Sequence, residues 1–321
     1  MSQFPPTPEV EGQVSDAVSG NWVDQLAPNF ARPYLRLSRA DRPIGTWLLL
    51  LPCWWGLGLA VLSDGQFSVW DIWIFFSCAI GAFLMRGAGC TWNDITDRKI
   101  DGAVERTRSR PIPSGQVTVA QAIAWMVLQA SMAALILFTY NVEAISLGFA
   151  SLLLVAIYPF AKRFTWWPQA FLGLAFNWGA LMIYVAHAGV LRAEAVLLYI
   201  AGIAWTLFYD TIYAHQDRED DALIGVKSTA RLFGDRTPAW LLGFSVLSAL
   251  LIALAIFLAC SERSNASLLV AMAAALVFWG HLRWQLGRFD PDDSVRLMML
   301  FRSNRDSGLL VVLFFAVAAM L

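Results

Sequence analysis

The chain has 321 residues, of which 58% are hydrophobic and only 15% are charged. A soluble globular domain carries about 25% charged residues. One or two water-facing domains could not bury this much apolar side chain, so the composition excludes a water-soluble globular enzyme. It favours a protein whose solvent is lipid, where each spanning helix needs about 20 mostly apolar residues. The formal net charge of −1 gives no reason to expect nucleic acid as a partner.

The four cysteines lie in or beside apolar runs. They lack the CxxC spacing that would indicate a zinc site, and nothing in their pattern indicates a disulfide framework. We therefore expect each of them to be a small buried side chain: Cys53, Cys78, Cys90 and Cys260.

Residues 1–31 form a separate region that contains prolines and acids but no Lys or Arg. A mitochondrial presequence would be rich in Arg and poor in acids, and a secretory signal would begin basic and turn apolar. The region therefore predicts a flexible cytoplasmic extension, followed by one membrane domain over residues 32–321. It also favours a bacterial inner (plasma) membrane as the location of the protein.

From Ile44 onward, long apolar runs alternate with short polar interruptions. Runs of this length predict transmembrane helices. The predicted fold is an all-α integral membrane protein with nine transmembrane helices, over residues 44–62, 69–91, 119–140, 142–160, 167–189, 194–213, 238–260, 265–284 and 306–321.

The positive charges support this number of spans. Nine spans place the polar segments alternately on two sides of the membrane. Of the 23 Lys and Arg residues, only Arg192 and Arg263 fall on the side opposite the N-terminus. Because cytoplasmic loops carry an excess of Lys and Arg, the N-terminus and the loops on its side are expected in the cytoplasm.

Two of the loops on that side begin with acidic clusters. Asn93, Asp97 and Asp101 are spaced four and four, so they share one stripe if the helix continues beyond the membrane surface. The second cluster has the spacing seven and four, which again predicts one stripe, and it consists of Asp210, Asp217 and Asp221.

Acids at i and i+4 repel each other unless a cation lies between them. Mg²⁺ prefers oxygen ligands, accepts one or two carboxylates, and completes its shell with water or substrate phosphates. Two such clusters favour a magnesium site over the alternative, which is a pair of solvated charged loops.

Basic residues near these clusters fit a phosphorylated substrate. Arg and Lys stabilise the negative charge that develops on a diphosphate leaving group. For each of these residues, the alternative explanation is that it only enforces the orientation of the chain in the membrane. As diphosphate ligands we favour Arg110 and Lys162 among the candidates Arg106, Arg108, Arg110, Tyr158, Lys162, Lys227 and Arg231.

Several stretches together resemble the intramembrane aromatic prenyltransferases. Residues 93–101 with 108–115, and 209–217 with 220–221, are similar to the two signature motifs of that family, and the lead-in of the second motif is similar to its hydroxybenzoate branch. Residues 41–46 and 301–305 agree as well. The resemblance runs from about residue 32 to the C-terminus.

The resemblance implies a helical bundle around a central cavity that is capped by cytoplasmic loops. It implies a polyprenyl diphosphate as donor and 4-hydroxybenzoate as acceptor, a step of ubiquinone biosynthesis, with Mg²⁺ as cofactor and the lipid bilayer as surroundings. No obligatory protein partner is expected. By matching motif positions, the metals would be held by Asn93, Asp97, Asp101, Asp210, Asp217 and Asp221, and the diphosphate by Arg110, Tyr158 and Lys162.

Arg86 would meet the aromatic acid in that resemblance, and its position can also be derived. It lies seven residues before Asn93, almost two helical turns, so it shares the stripe of the first acidic cluster about 10 Å deeper. An Arg at membrane depth normally has a partner. A carboxylate substrate suits its planar fork, and pairing with a motif acid is the alternative.

The identity of the catalytic base stays open, and so do two rival functions. After the phenol ring attacks the prenyl donor, a motif carboxylate or a water molecule removes the ring proton, and Asp217 is our candidate for that base. One rival is a sister prenyltransferase that uses homogentisate, a naphthoate, a chlorophyllide or haem. The other is a cation-coupled transporter, which would place acids near the middle of the spans; here they lie at the helix ends.

Overall fold

The structure is a computed structural model, and it describes residues 17–18, 20–102, 107–223 and 225–321. Within these ranges the regular secondary structure is entirely helical. The α-helices are α1 Trp22–Gln25, α2 Arg32–Leu37, α3 Ile44–Asp64, α4 Val69–Asp101, α5 Val119–Leu137, α6 Val142–Phe164, α7 Pro168–Ala188, α8 Ala193–Ala214, α9 Arg218–Leu223, α10 Thr229–Phe233, α11 Thr237–Ala259, α12 Asn265–Leu286 and α13 Ser294–Ala319. Short 3₁₀ helices cover His215–Asp217 and Gly234–Arg236.

Among the described residues, 8 helices are long and apolar enough to cross a membrane. They correspond to the first eight predicted spans, so the predicted all-α membrane class is confirmed. The count of nine is not confirmed. Most of the last predicted span, residues 306–321, belongs to α13, whose first half carries charged side chains such as Arg296, Arg302 and Arg305.

Helix α4 is much longer than a membrane is thick. It contains 33 residues without a break, which corresponds to a length of about 50 Å at 1.5 Å per residue. The hydrocarbon core of a bilayer is about 30 Å thick. The helix therefore has enough length to leave the hydrocarbon and continue as far as Asp101, as the stripe of the first acidic cluster requires.

The chain forms two compact units. Unit 1 consists of Met1–Gly45 and Phe83–Ala134. In its described part, Leu37 of α2 packs with Ile95 of α4 and with Ala122 of α5 in a small buried cluster. Polar bonds add to this packing, since Trp125 Nε1 donates to Ser38 Oγ at 2.8 Å and Ser38 Oγ donates to Gln129 Oε1 at 2.9 Å.

The end of the predicted N-terminal extension takes part in unit 1. Residues 1–16 and Ser19 lie outside the described residues, so the flexibility predicted for them stays a prediction. Asp24 of α1 forms an ion pair of 2.9 Å with Arg36 of α2, and Val23 is fully buried against Leu35 and Ala40. Composition did not reveal this, because the partners of α1 lie further along the chain.

Unit 2 consists of Thr46–Ala82 and Leu135–Leu321 and has an aromatic core. The rings of Trp55, Trp205 and Phe278 are fully buried and pack against one another. Buried indoles need a hydrogen-bond acceptor. Trp55 Nε1 donates to the Gly308 carbonyl and Trp205 Nε1 to Asn304 Oδ1, both at 2.9 Å. Asn304, one of the residues in the stretch 301–305, therefore holds the core together.

Candidate active site

The first acidic cluster lies on one helical stripe, as its spacing predicts. Asn93, Asp97 and Asp101 all belong to α4, which continues without a break to Asp101. Asp97 is fully buried and Asp101 nearly so, whereas Asn93 is half-buried. Buried carboxylates are costly unless cations or hydrogen-bond donors compensate them, so this end of α4 needs positive charge close by.

Arg110 supplies part of that charge. Its Nη1 donates to Asp101 Oδ2 at 2.8 Å and lies 3.5 Å from Asp94 Oδ1. Its Nε is buried and has no hydrogen-bond partner among the described residues. The structure thus brings together two of the predicted site residues, Asp101 and Arg110, and leaves one buried donor of Arg110 for a ligand.

Two residues of this site were not predicted from the sequence. Asp94, next to Asn93, is fully buried and accepts two hydrogen bonds from Arg39, one at 2.6 Å and one at 3.0 Å. Asp94 lies off the stripe of the acidic cluster, and Arg39 precedes it by 55 residues, so spacing could not reveal the pair. The positive φ of 57° at Arg39 gives no signal in the sequence either.

Arg86 lies against the beginning of α3. A Cβ built on Gly45 would fall 2.5 Å from the Nε and Nη2 atoms of Arg86. The guanidinium therefore occupies the space that any other residue at position 45 would fill. This close approach explains a glycine within the stretch 41–46, which the resemblance had singled out without giving a reason.

The second acidic cluster belongs to unit 2, and the single helix that its predicted stripe assumes is interrupted. Asp210 lies on α8, Asp217 ends a 3₁₀ helix and Asp221 lies on α9. A 3₁₀ helix turns 120° per residue, compared with 100° in an α-helix. The spacing of seven and four therefore does not run along one continuous α-helix. All three are half-buried.

Unit 2 also brings the end of α6 to the segment that follows this cluster. Tyr158 and Lys162 lie one turn apart on α6 and are half-buried. The Lys162 carbonyl accepts a hydrogen bond from the backbone N–H of Lys227 at 3.2 Å, and the Asp221 carbonyl accepts one from Val226 at 2.9 Å. Two of the predicted diphosphate ligands thus share an end of unit 2 with Asp221.

The described residues contain no preformed group of three or more His, Cys, Asp or Glu side chains that could hold a metal ion. The donor set of each unit nevertheless fits Mg²⁺, since it consists of hard carboxylate oxygens, joined in unit 1 by the amide oxygen of Asn93. Mg²⁺ commonly uses only one or two carboxylates and takes its other ligands from water and substrate phosphates.

Comparisons with known proteins agree with this chemistry. Residues 49–305 match the UbiA prenyltransferase family. The chain is similar to proteins named "4-hydroxybenzoate polyprenyltransferase, mitochondrial". It is 46% identical to that of Arabidopsis thaliana over 91% of this chain and 70% of the plant protein. It is 47% identical to that of Rattus norvegicus over 92% and 77% of the two chains, and 45% identical to that of Homo sapiens over 97% and 81%.

Solved structures share the fold. An apo UbiA homolog from Aeropyrum pernix K1 superposes with a TM-score of 0.66 at 23% identity, covering 86% of this chain and 98% of that one. A UbiA homolog from Archaeoglobus fulgidus bound to GPP and Mg²⁺ superposes with a TM-score of 0.64 at 16% identity, covering 90% and 100%. The helical membrane fold expected from the motifs is therefore confirmed.

The expected location in a bacterial inner membrane, with the N-terminus and the acidic clusters in the cytoplasm, is contradicted. The relatives from Arabidopsis thaliana, Rattus norvegicus and Homo sapiens are all mitochondrial by name. The expectation relied on the composition of residues 1–31. That composition describes this segment alone and contains no information about which membrane holds the helices.

Proposed function

The chain belongs to the UbiA prenyltransferase family, and on this premise we propose that it transfers a polyprenyl group from an isoprenoid diphosphate to 4-hydroxybenzoate. The new bond forms on the ring ortho to the hydroxyl, a step of ubiquinone biosynthesis. The observation that carries this proposal is the identity of 45–47% with 4-hydroxybenzoate polyprenyltransferases over more than nine-tenths of the chain.

Magnesium is the proposed cofactor. The carboxylates of both clusters offer the oxygen donors that Mg²⁺ prefers, and the family member from Archaeoglobus fulgidus was solved with GPP and Mg²⁺. The ligands would be Asn93, Asp97, Asp101, Asp210, Asp217 and Asp221. When bound, the metal would neutralise charge on the diphosphate as its bond to carbon breaks.

The diphosphate would be held by Arg110, Tyr158 and Lys162. The buried Nε of Arg110 has no hydrogen-bond partner among the described residues, and a phosphate oxygen would satisfy it. Arg also matches a phosphate with a planar set of donors. Tyr158 and Lys162 are half-buried at the end of α6, where a hydroxyl donor and an ammonium can reach a charged ligand.

The acceptor would be oriented by Arg86. Its guanidinium lies close to Gly45, and this planar group can bind a carboxylate through two parallel hydrogen bonds. A 4-hydroxybenzoate bound through its carboxylate has its phenol at the opposite end of the molecule. Holding the acid end therefore fixes the direction in which the reactive ring carbons point.

The reaction is a substitution at the allylic carbon of the donor. The bond between that carbon and the diphosphate oxygen breaks, and the ring carbon ortho to the phenol forms the new carbon–carbon bond. The ring proton then leaves to a base, for which Asp217 is our candidate, and the diphosphate departs. Exclusion of water protects the allylic cation from hydrolysis.

The test is incubation of purified protein in lipid with 4-hydroxybenzoate, a prenyl diphosphate and Mg²⁺, followed by mass spectrometry of the product. We expect one prenyl group on the ring and inorganic diphosphate in equal amount, and no product when the metal is chelated. Parallel incubations with homogentisate, a naphthoate, a chlorophyllide and haem test the sister activities. Turnover of one of these, with none of 4-hydroxybenzoate, would contradict the proposal.

A further inference from the structure

Arg39 occupies a backbone position that normally belongs to glycine. It follows α2 and its cap residue Ser38, and its φ is 57°. The Arg39 N–H donates to the Arg36 carbonyl and the Ala40 N–H to the Leu35 carbonyl, both at 3.0 Å. These two bonds define a Schellman motif, in which the left-handed residue is usually glycine because it has no Cβ to clash.

An arginine at this position carries a backbone cost. The left-handed conformation costs an L-residue about 1–2 kcal/mol, and no other non-glycine residue in the described part of the chain has a positive φ. The turn itself gains nothing from a side chain. Strained residues of this kind persist where the surroundings hold them in place, and they concentrate at functional sites. The contacts of the Arg39 side chain therefore indicate why an arginine occupies this strained position.

Those contacts lead to Asp94. Arg39 Nη2 donates to Asp94 Oδ1 at 2.6 Å and Nη1 donates to Asp94 Oδ2 at 3.0 Å. Asp94 has no exposed surface, and Arg39 is only 7% exposed. A buried carboxylate of this kind needs a full charge partner, and the two parallel bonds show that Arg39 is that partner.

The same carboxylate also faces Arg110. Arg110 Nη1 lies 3.5 Å from Asp94 Oδ1 and donates to Asp101 Oδ2 at 2.8 Å. Two carboxylates thus compete for one end of Arg110. The Arg39 guanidinium compensates the negative charge of Asp94, and Arg110 stays bound mainly to Asp101. If Arg39 were absent, the uncompensated Asp94 would draw Arg110 towards itself.

We propose that Arg39 is a positioning residue for the donor: by neutralising Asp94, it keeps Arg110 in place for the diphosphate of the prenyl substrate. Arg39 need not touch the donor to act in this way. The inference rests on the proposed function, because it assigns Arg110 to the diphosphate. It adds a residue outside the acidic clusters and explains why an arginine is kept at a position that suits glycine.

The experiment compares variants that differ in the charge left on Asp94. Arg39→Gln leaves the buried carboxylate uncompensated, and Arg39→Gln with Asp94→Asn removes both charges together. Arg39→Gly removes the side chain while relieving the backbone strain, which keeps the test interpretable if Arg39→Gln folds poorly. The matched control is Arg36→Gln, which breaks a different buried ion pair, that between Arg36 of α2 and Asp24.

The readouts are the KM of each substrate, kcat, the melting temperature, and direct binding of a non-hydrolysable prenyl thiodiphosphate. We expect Arg39→Gln and Arg39→Gly to raise the donor KM by about tenfold, the middle of the range for coupled neighbours in one ion-pair network, with little change in the acceptor KM. The double variant should restore the donor KM to near the wild-type value. Arg36→Gln should lower the melting temperature without changing the donor KM.

An unchanged donor KM in Arg39→Gln would overturn the inference. So would a double variant as impaired as the single one, because Arg39 would then act by contacting the donor or by supporting the fold. The binding assay separates the two proposals. Weakened thiodiphosphate binding in the single variant, restored in the double, supports the positioning role even if 4-hydroxybenzoate is not turned over, and that outcome would refute only the proposed acceptor.

Discussion

Gly45→Ala should impair acceptor binding without weakening the fold. The added Cβ would lie 2.5 Å from Nε and Nη2 of Arg86 and 2.7 Å from its Cζ, whereas ordinary contact begins at 3.4 Å. The guanidinium must therefore move by the difference of about 0.9 Å. It is the far end of a flexible side chain, so the movement costs little stability. Gly45 has no positive φ, so alanine there also favours folding by about 0.4–1 kcal/mol because it restricts the unfolded chain.

The effect on activity follows from this displacement. A misplacement of about 1 Å in a positioning group lowers the rate by up to about 10²-fold, which corresponds to about 2.7 kcal/mol of transition-state stabilisation. We expect kcat/KM for 4-hydroxybenzoate to fall by that order. The KM of the prenyl diphosphate should change by much less, because the proposed diphosphate ligands do not include Arg86.

The assay is steady-state kinetics with each substrate varied in turn, together with the melting temperature of each variant. Gly81→Ala is the matched control, since it also replaces a membrane-helix glycine and no atom lies within 4 Å of the new Cβ. Arg86→Ala should show the same selective loss, and Arg86→Lys should restore little because a point charge does not replace a fork. Wild-type kinetics in Gly45→Ala, or equal losses for both substrates, would refute the assignment of Arg86 to the acceptor.

Three further predictions concern other parts of the molecule. Asp97→Asn and Asp217→Asn should each lower kcat by at least about 10²-fold, which is the scale of losing one preorganised electrostatic group. The melting temperature should stay near that of the wild type. Normal turnover at saturating Mg²⁺ would contradict the metal assignment. His187→Gln should destabilise the protein by about 1–3 kcal/mol, measured by unfolding in detergent, because the buried Asp71 loses the ring nitrogen 2.5 Å away and, among the described residues, keeps only its hydrogen bonds from Ser68. Cys260 is buried, so alkylating reagents should modify it only after unfolding; rapid alkylation of Cys260 in the folded protein would contradict this.

The helical fold and the first acidic cluster were predictable because they depend on local sequence. Long apolar runs have few ways to satisfy their backbone in lipid, so the eight helices of membrane-spanning length follow from hydropathy alone. The stripe of Asn93, Asp97 and Asp101 needs only that α4 does not break. The four cysteines were also predicted correctly, and all of them are buried and free.

Features that depend on distant partners were not predictable. Arg39 and Asp94 are separated by 55 residues, and nothing in either neighbourhood indicates a pairing. His187 gave no sign of its role, yet it lies between two carboxylates, with Asp64 at 3.0 Å and Asp71 at 2.5 Å. The interruption in the second acidic cluster has a local cause, a 3₁₀ turn between α8 and α9 that its spacing does not reveal.

The unbroken α4 also constrains how this chain can change in length. Arg86 and the acids of the first cluster are held at fixed angles by nothing more than the number of residues between them. Inserting one residue between Arg86 and Asn93 would rotate Asn93, Asp97 and Asp101 by about 100° about the helix axis relative to Arg86. Point substitutions between Arg86 and Asn93 leave the angles between these side chains unchanged, while a single inserted or deleted residue changes them. The spacing from Arg86 to Asp101 is therefore as much a part of the site as the side chains themselves.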